Sequence, residues 1–282
     1  MLTTTPVPTT KLPGGELIPV LGQGTWHLAE NPRRRAEEVS ALRLGLDLGM
    51  TLVDTAEMYA DGEAEELVRE AIGGRRAEVF LVSKVLPENA TQHSTVAACH
   101  RSLRRLGTDR LDLYLLHWRG SVPLQETLAG FQSLVEAGAI RHWGVSNFDF
   151  SDMRELLALS GQPPATDQVL YNLTRRGIEY DLLPWCREQG IPLTAYSPIE
   201  QGRMLDDPEL KQIAARHNAT SAQVALAWLV RQDKIVAIPR SSNPDHVRIN
   251  RAALDLELNP DDLSKLDRAF PPPAEPTPLE ML

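Results

Sequence analysis

Short apolar runs alternate along the chain with longer amphipathic stretches. Each run is rich in residues that favour strands, and ten or more residues with helical spacing of apolar positions separate it from the next. Strands that alternate with helices in this way predict a parallel sheet covered by helices. The seven runs that can be counted directly are Thr51–Val53, Val79–Val82, Leu111–Leu116, His142–Val145, Asp167–Leu170, Leu193–Tyr196 and Ile235–Ile238.

An eighth strand is predicted at Val20–Gly24, after a β-hairpin that turns at Gly14-Gly15, because glycines supply the positive φ of such a turn. Eight strand and helix units close into a (β/α)8 barrel, or TIM barrel, which takes roughly 250 residues. The chain has 282 residues. We therefore expect a single domain over residues 1–282, with the barrel and its added helices at about 12–270.

The ends of several helices can also be predicted. Asn31-Pro32 opens a helix that Gly49 closes, and Asn259-Pro260 opens an extra C-terminal helix outside the barrel. Pro271-Pro272-Pro273 cannot continue that helix, so residues 271–282 form a proline-rich tail. The tail either folds over the pocket, with Leu279 or Met281 as a wall, or is disordered.

Composition excludes several classes of partner and of binding site. The 29 Lys and Arg residues against 38 Asp and Glu give a formal charge of -9, which opposes binding to nucleic acid or an anionic membrane. Cys99 and Cys186 are too few for a disulfide framework or a four-thiolate metal site, so no metal is expected. The first ten residues lack the pattern of a signal peptide. We expect a cytoplasmic protein, and nothing in the composition demands a partner chain, so a monomer is the simplest expectation.

Polar residues end several of the predicted strands. Asp54, Lys84 and His117 end three successive runs, and Tyr59 follows Asp54 by five residues. Any one of them alone is more often a cap or a satisfied structural group. In a parallel barrel, however, the carboxyl ends of the strands meet at one mouth, where catalytic groups lie. The sequence therefore predicts that these four side chains converge.

Together these residues have the chemistry of a proton donor. An ammonium about 4 Å from a phenolate stabilises it by about 4 kcal/mol at an effective dielectric near 20, which lowers the phenol pKa by at most about three units. We expect Lys84 to make Tyr59 acidic in this way, while Asp54 holds the ammonium. His117 can donate a hydrogen bond to an oxygen bound beside Tyr59. Such a site protonates a carbonyl oxygen as it becomes an alkoxide.

Protonation is half of a reduction, and the hydride has to come from a cofactor. A nicotinamide is the simplest donor. The dinucleotide fingerprint of the usual nucleotide-binding fold is missing, because Gly22-Gln23-Gly24 is followed by Thr25, Trp26 and His27 instead of a third glycine. Any dinucleotide must therefore be held by the barrel itself.

Several motifs make the chain resemble the aldo-keto reductase family from Leu12 to about Phe270. They are Gly22-Gln23-Gly24-Thr25-Trp26, Asp54-Thr55-Ala56-Glu57-Met58-Tyr59, Ser83-Lys84, Leu113-Tyr114-Leu115-Leu116-His117-Trp118, Gly144-Val145-Ser146-Asn147-Phe148, Gln168-Val169, Ala195-Tyr196-Ser197-Pro198 and Ile238-Pro239. The resemblance implies NADPH bound across the barrel mouth and Tyr59 as proton donor. It is strongest to the short bacterial members that reduce small aldehydes and dicarbonyls such as methylglyoxal.

The resemblance also implies roles for the surrounding residues. The nicotinamide carboxamide would be held by Ser146, Asn147 and Gln168, with Tyr196 stacked on the ring and Ser197 at the pyrophosphate. Trp26 and Trp118 would wall the substrate together with Tyr59 and His117. The remaining cofactor contacts would be Gly24, Thr25, Pro198, Ile199, Gln201, Ile238, Pro239, Arg240, Ser241, His246 and Asn250.

The adenosine end departs from the usual family pattern. The family signature begins with Lys-Ser and has an arginine six residues after the lysine, whereas this chain has Arg240, Ser241 and His246. Arg240 can bind a 2'-phosphate through two nitrogens, but His246 is a weaker partner whose charge depends on pH. We expect NADPH as the cofactor, with NADH as a weaker alternative.

Two other functions remain open at this level. One is a nicotinamide-binding regulatory or redox-sensing subunit with little turnover, since the family fold also resembles cytoplasmic channel subunits. The other is an unrelated barrel hydrolase, which requires metal ligands or a carboxylate pair. Glu57, Asp61 and Glu63 lie close to Tyr59 in the sequence, but the reductase motif already accounts for this loop.

Overall fold

The computed structural model describes residues 6–282; Met1–Thr5, and with them the start of the predicted domain, lie outside it. The strands are β1 Thr9–Lys11, β2 Leu17–Pro19, β3 Gln23–Gly24, β4 Leu52–Asp54, β5 Phe80–Val85, β6 Leu111–Leu116, β7 Ile140–Ser146, β8 Asp167–Leu170, β9 Leu193–Tyr196 and β10 Ile235–Ala237. The α-helices are α1 Arg35–Asp47, α2 Glu63–Ile72, α3 Gln92–Leu106, α4 Leu124–Glu136, α5 Phe150–Ser160, α6 Leu182–Glu188, α7 Pro208–Arg216, α8 Ser221–Val230, α9 Pro244–Ala252 and α10 Pro260–Ala269.

Strands β3 to β10 form one parallel sheet in which neighbours in the chain are neighbours in space. The sheet closes on itself where the Gly22 N–H donates to the Ala237 carbonyl at 2.9 Å and the Ala237 N–H donates to the Val20 carbonyl at 2.9 Å. The predicted (β/α)8 barrel is confirmed. The predicted strand Val20–Gly24 is too long: only Gln23–Gly24 form β3, and Leu21 makes an isolated bridge to Ala237.

The hairpin predicted at Gly14-Gly15 is also confirmed. Strands β1 and β2 pair antiparallel, and Gly15 has the left-handed φ of +93° that the turn requires. Leu12 and Ile18 of this hairpin belong to the same apolar cluster as Leu52 on strand β4, inside the barrel. The larger part of the core lies between the sheet and the helices. The hairpin therefore fills one end of the barrel and leaves the carboxyl ends of the strands for a site.

The helix ends follow their sequence signals closely. A 3-10 turn at Pro32–Arg34 precedes α1, and the Asn31 side chain accepts from the Arg33 N–H at 3.1 Å. Asn259 forms a reciprocal capping box with Asp262 at the start of α10, the predicted extra helix. Strand β5 extends further than predicted, so Lys84 lies inside the strand rather than after it.

The proline-rich tail packs along the barrel instead of leaving it. Gly177 makes room for it, because a Cβ there would come within 2.5 Å of the Thr277 hydroxyl. Arg175 forms an ion pair with Glu280 at 2.5 Å, and Arg176 donates to the Phe270 carbonyl at 2.6 Å. Within residues 6–282, no helix is long and apolar enough to cross a membrane.

Asp167 on strand β8 is fully buried, and the Phe148 N–H at 3.4 Å is its hydrogen-bond donor while its Oδ2 has no partner. Burial raises the pKa of this carboxyl well above its usual range, and nearby Asp152 and Asp149 add to the increase. The folded chain thus holds a proton that the unfolded chain releases above pH ~4.

Asp167→Asn is therefore expected to stabilise the protein, and the difference should grow with pH. Because the pKa of Asp167 is raised on folding, its stabilising effect is full in acid and is lost as pH rises. The loss is about 1.4 kcal/mol per pH unit between pH ~4 and the raised pKa. Urea unfolding of both proteins at pH 5, 6, 7 and 8 measures this. A difference that is independent of pH would contradict a protonated Asp167.

Candidate active site

A cavity of about 400 Å³ opens at the carboxyl ends of the barrel strands. Its size lies within the range of small-molecule and cofactor sites. It collects nearly all of the residues predicted for the site. The cavity is lined by Gly24, Thr25, Trp26, His27, Asp54, Met58, Tyr59, His117, Trp118, Ser146, Asn147, Gln168, Tyr196, Ser197, Pro198, Ile199, Gln201, Gly202, Leu205, Ile238, Pro239, Arg240, His246, Met281 and Leu282.

Lys84 lies behind the cavity wall with its ammonium completely enclosed. The three N–H groups meet three acceptors: Asp54 Oδ1 at 2.6 Å, the Thr55 carbonyl at 2.9 Å and Tyr59 Oη at 3.2 Å. Burial lowers the pKa of Lys84, but the Asp54 carboxylate and the Tyr59 oxygen more than reverse this and leave the pKa raised. A buried cation, paired with Asp54, therefore lies against the phenol.

Asp54 at the end of β4 is held from two sides. Its Oδ1 accepts from Lys84, and its Oδ2 accepts from Gln168 Nε2 at 2.8 Å. The contact with Gln168 joins residues on opposite sides of the barrel and was not predicted from the sequence, where Gln168 is assigned only to the cofactor. Both carboxylate oxygens are thus paired, as a buried charge requires.

Tyr59 does not have the acidity that the sequence predicted. Burial raises the pKa of its phenol and Asp54 adds to this, while Lys84 only partly offsets the increase. The expected lowering of the Tyr59 pKa is therefore wrong: it took the ammonium as the larger effect, whereas burial of the side chain, which is 9% exposed, outweighs it. The phenol is therefore protonated at neutral pH. Its oxygen accepts from Lys84, so its own O–H is free to donate.

His117 lies beside Tyr59, with the ring centroids 5.7 Å apart in an edge-on arrangement. Burial, with a further contribution from the charge on Lys84, lowers the pKa of His117 to about 2. The imidazole is therefore neutral and has a single N–H. Its Nδ1 is buried without a hydrogen-bond partner, while the residue lines the cavity. A proton on Nε2 leaves the buried Nδ1 as an unpaired acceptor, and orphaned buried N–H groups are the rarer case.

Ser146, Asn147 and Tyr196 form a connected polar wall. Tyr196 Oη donates to Asn147 Oδ1 at 2.9 Å, and Asn147 Nδ2 donates to the His117 carbonyl at 3.1 Å. Ser146 Oγ donates to the Gln168 carbonyl at 2.7 Å. The family resemblance implied that these residues lie together, and all three line the cavity.

The segment after β9 lines the next part of the cavity and has an unusual backbone. Ser197, Glu200 and Gln201 have φ values of 45°, 51° and 55°, a region that costs a non-glycine residue about 1–2 kcal/mol. Buried Glu200 holds the segment, because it accepts from Asn172, Arg175 and Arg203. Burial raises the pKa of Glu200, but these hydrogen bonds outweigh it and leave the pKa lowered.

The residues predicted for the adenosine end line two different cavities. Arg240 and His246 line the main cavity, and Arg240 Nε donates to the Trp26 carbonyl at 3.1 Å. Ser241 and Asn250 do not line it; they face a separate small cavity with Gly22 and Gln23. The Ser241 hydroxyl donates to the Asn243 carbonyl at 3.1 Å and accepts from its N–H at 3.0 Å, so it serves the turn before α9.

The tail contributes to the cavity, but through other atoms than expected. Met281 and Leu282 line it, whereas Leu279 faces a different cavity beside Arg175. The cavity is also lined by five residues that were not predicted from the sequence: His27, Met58, Gly202, Leu205 and Leu282. Only Met58, between Asp54 and Tyr59, had a signal in the motif. Over residues 6–282, no group of three or more His, Cys, Asp or Glu residues is arranged to hold a metal ion.

Comparisons with known proteins agree with this geometry. The family model described as "Aldo/keto reductase family" matches residues 20–270. The chain is 51% identical over 275 residues to "Methylglyoxal reductase YeaE" of Escherichia coli K12, covering 95% of this chain and 97% of that protein. It is 37% identical to "Glyoxal reductase" of Bacillus subtilis over 92% of this chain and 91% of that protein.

A solved structure matches over nearly the whole length. It is an aldo/keto reductase from Klebsiella pneumoniae in complex with NADP and acetate, with a TM-score of 0.95 and 47% identity over 99% of this chain and 100% of that one. A second structure from Klebsiella pneumoniae, in complex with NADPH, has a TM-score of 0.94 and 48% identity over 99% of this chain and 100% of that one. The chain belongs to the aldo/keto reductase family.

Proposed function

We propose that this enzyme reduces small aldehydes and dicarbonyls such as methylglyoxal to alcohols with NADPH, and that Tyr59 supplies the proton. The observation that carries the proposal is the enclosed ammonium of Lys84, which donates to Tyr59 Oη at 3.2 Å beside a neutral His117. The similar proteins named methylglyoxal reductase and glyoxal reductase support the substrate class. The structures with bound NADP and NADPH support the cofactor.

The residues present fit such a cofactor by their chemistry. Amide and hydroxyl groups of Ser146 and Asn147 suit the carboxamide, and the Tyr196 ring suits the face of the nicotinamide. From there the cavity continues along the segment after β9 to Arg240 and His246, where a cation can meet a phosphate. When bound, NADPH supplies the hydride that no side chain can supply and leaves as NADP+.

Tyr59 completes the reduction at the oxygen. As hydride reaches the carbonyl carbon, the π bond breaks and the oxygen takes the phenol proton, so a C–H and an O–H bond form. The raised pKa keeps the proton on Tyr59 until then. The phenolate left behind lies against Lys84, whose charge is enclosed and does not have to be desolvated during the reaction. Water returns the proton after the alcohol leaves.

His117 orients the carbonyl without exchanging protons. Since its imidazole is neutral, an N–H on Nε2 donates to the carbonyl oxygen and Nδ1 stays unpaired. Trp26, Trp118 and Met281 supply apolar walls around this oxygen. The expectations of a monomer and of a cytoplasmic location stay predictions.

The test is to mix the purified protein with NADPH and a carbonyl panel led by methylglyoxal and to follow nicotinamide absorbance. We expect oxidation of NADPH that depends on the carbonyl, with one alcohol formed per NADPH consumed. Cofactor binding without turnover across the whole panel would sink the reductase proposal and favour the regulatory subunit.

His246→Arg is expected to strengthen NADPH binding at pH 8 by about three- to tenfold and to leave NADH binding unchanged. Arginine keeps its charge at every physiological pH and can pair a phosphate through two nitrogens, whereas an imidazole is charged mainly in acid. Titration of protein fluorescence with each cofactor measures both affinities. Equal gains for NADPH and NADH would show that His246 does not face the 2'-phosphate.

A further inference from the structure

The loop that carries Tyr59 needs contacts to hold its shape. Directly after Tyr59, the residues Ala60, Asp61 and Gly62 have φ values of 47°, 54° and 95°. Left-handed backbone is disfavoured for the first two of these, so such a stretch persists only where its surroundings fix it. Within the turn, the Tyr59 N–H donates to the Ala56 carbonyl at 3.1 Å and the Asp61 N–H donates to the Met58 carbonyl at 3.3 Å.

Glu57 adds side-chain contacts from this loop to neighbouring segments. Its Oε1 accepts from the Leu86 N–H at 2.9 Å and from Asn89 Nδ2 at 2.9 Å, and its Oε2 lies 3.5 Å from Arg101. Its backbone N–H also approaches the Lys84 carbonyl at 3.4 Å. The side chain is only 6% exposed and does not line the cavity.

Two of these contacts lie at Lys84 and just after it in the chain. The backbone of Glu57 meets the carbonyl of Lys84, and the carboxylate meets the N–H two residues later. Glu57 therefore joins the segment that carries the phenol to the strand end that carries the ammonium. The distance between Tyr59 Oη and Lys84 Nζ depends on how these two segments are held.

We propose that Glu57 is a positioning residue for proton transfer, which sets the Tyr59 phenol against the Lys84 ammonium by accepting hydrogen bonds. This rests on the proposed role of Tyr59 as the proton donor. The positioning depends on the Glu57 oxygen that accepts hydrogen bonds and not on the negative charge of the carboxylate. Lys84 already has a full carboxylate partner in Asp54, and Arg101 at 3.5 Å is at the limit of a hydrogen bond.

The consequence should appear in turnover and not in cofactor binding. A misplacement of about 1 Å in a reacting group can cost about a hundredfold in rate. We expect Glu57→Ala to lower kcat about 10- to 100-fold, with the Kd for NADPH unchanged within about twofold, because Glu57 is outside the cavity. Glu57→Gln keeps the acceptor and should retain kcat within about threefold.

The experiment compares Glu57→Ala, Glu57→Gln and the control Glu63→Ala. Glu63 is a carboxylate on the same segment, but it is exposed and pairs with Arg35. Steady-state kinetics with methylglyoxal, fluorescence titration with NADPH and crystal structures are recorded for each. If Glu57→Gln loses as much kcat as Glu57→Ala, the charge carries the effect and the proposal is wrong.

If no form of the protein reduces a carbonyl, the proposed function alone is overturned. The crystal structure of Glu57→Ala still tests the positioning in that case. We expect the distance from Tyr59 Oη to Lys84 Nζ to exceed 3.2 Å by about 0.5–1 Å; an unchanged distance refutes the proposal. If Glu57→Ala does not fold, Asn89→Ala removes one of the two donors to the same oxygen. It should lower kcat about two- to fivefold, and an unchanged kcat refutes the proposal.

Discussion

Tyr59→Phe is expected to lower kcat for carbonyl reduction by about 10²–10⁴-fold, the contribution of a positioned proton donor. The substitution removes one oxygen and keeps the ring, so the cavity wall is preserved. Lys84 keeps two of its three acceptors, Asp54 and the Thr55 carbonyl, and stays charged and in place. The hydride donor is still bound, but the carbonyl oxygen has no phenol proton to accept as hydride reaches the carbon.

The measurement separates binding from chemistry. NADPH affinity is followed by protein fluorescence, since Trp26 and Trp118 line the cavity, and turnover is followed by nicotinamide absorbance. We expect the Kd for NADPH to change by less than about twofold, because the phenol oxygen is proposed to contact the carbonyl of the substrate and not the cofactor. Tyr180→Phe is the matched control, as that tyrosine is 46% exposed and outside the cavity. A Tyr59→Phe protein with more than a tenth of the wild-type kcat would exclude this residue as the donor.

Much of the site was predictable because the fold places strand ends together. Asp54, Lys84 and His117 are remote in the chain, yet parallel strands in barrel order put their ends at one mouth. A polar residue that ends one apolar run is therefore predicted to lie near the polar residues that end the neighbouring runs. Ser241 and Asn250 were assigned from the family resemblance and not from this rule. They follow β10 and line the separate small cavity, so their contact with the cofactor stays a prediction.

The ionisation of Tyr59 could not be predicted in the same way. Distance alone gives the attraction of the ammonium, but the cost of burying a charge depends on the complete set of neighbours. That set includes Gln168, which reaches Asp54 across the barrel, and the tail residue Met281, which helps to line the cavity. Contacts between residues more than a hundred positions apart leave no periodic signal. The loop contacts of Glu57 join residues 29 to 44 positions apart and were not predicted either.

Lys84→Met is expected to lower both stability and turnover. The substitution leaves the Asp54 carboxylate buried at 2% exposure with Gln168 as its remaining side-chain donor. Removing one partner of a buried ion pair costs about 3–5 kcal/mol, far more than the pair contributes over an apolar replacement. Turnover should fall by about 10²-fold or more, because a phenolate at Tyr59 then forms without a cation beside it.

The double variant Asp54→Asn with Lys84→Met distinguishes the two effects. With no buried charge left unpaired, its free energy of unfolding should return to within about 2 kcal/mol of the wild type, as neutral replacements of buried pairs often do. Its turnover should stay as low as that of Lys84→Met, because the ammonium is still missing. Urea unfolding and steady-state kinetics on the wild type, Lys84→Met, Asp54→Asn and the double variant complete the cycle. If turnover recovered together with stability, Lys84 would act only by holding the fold, and the phenolate would need another cation.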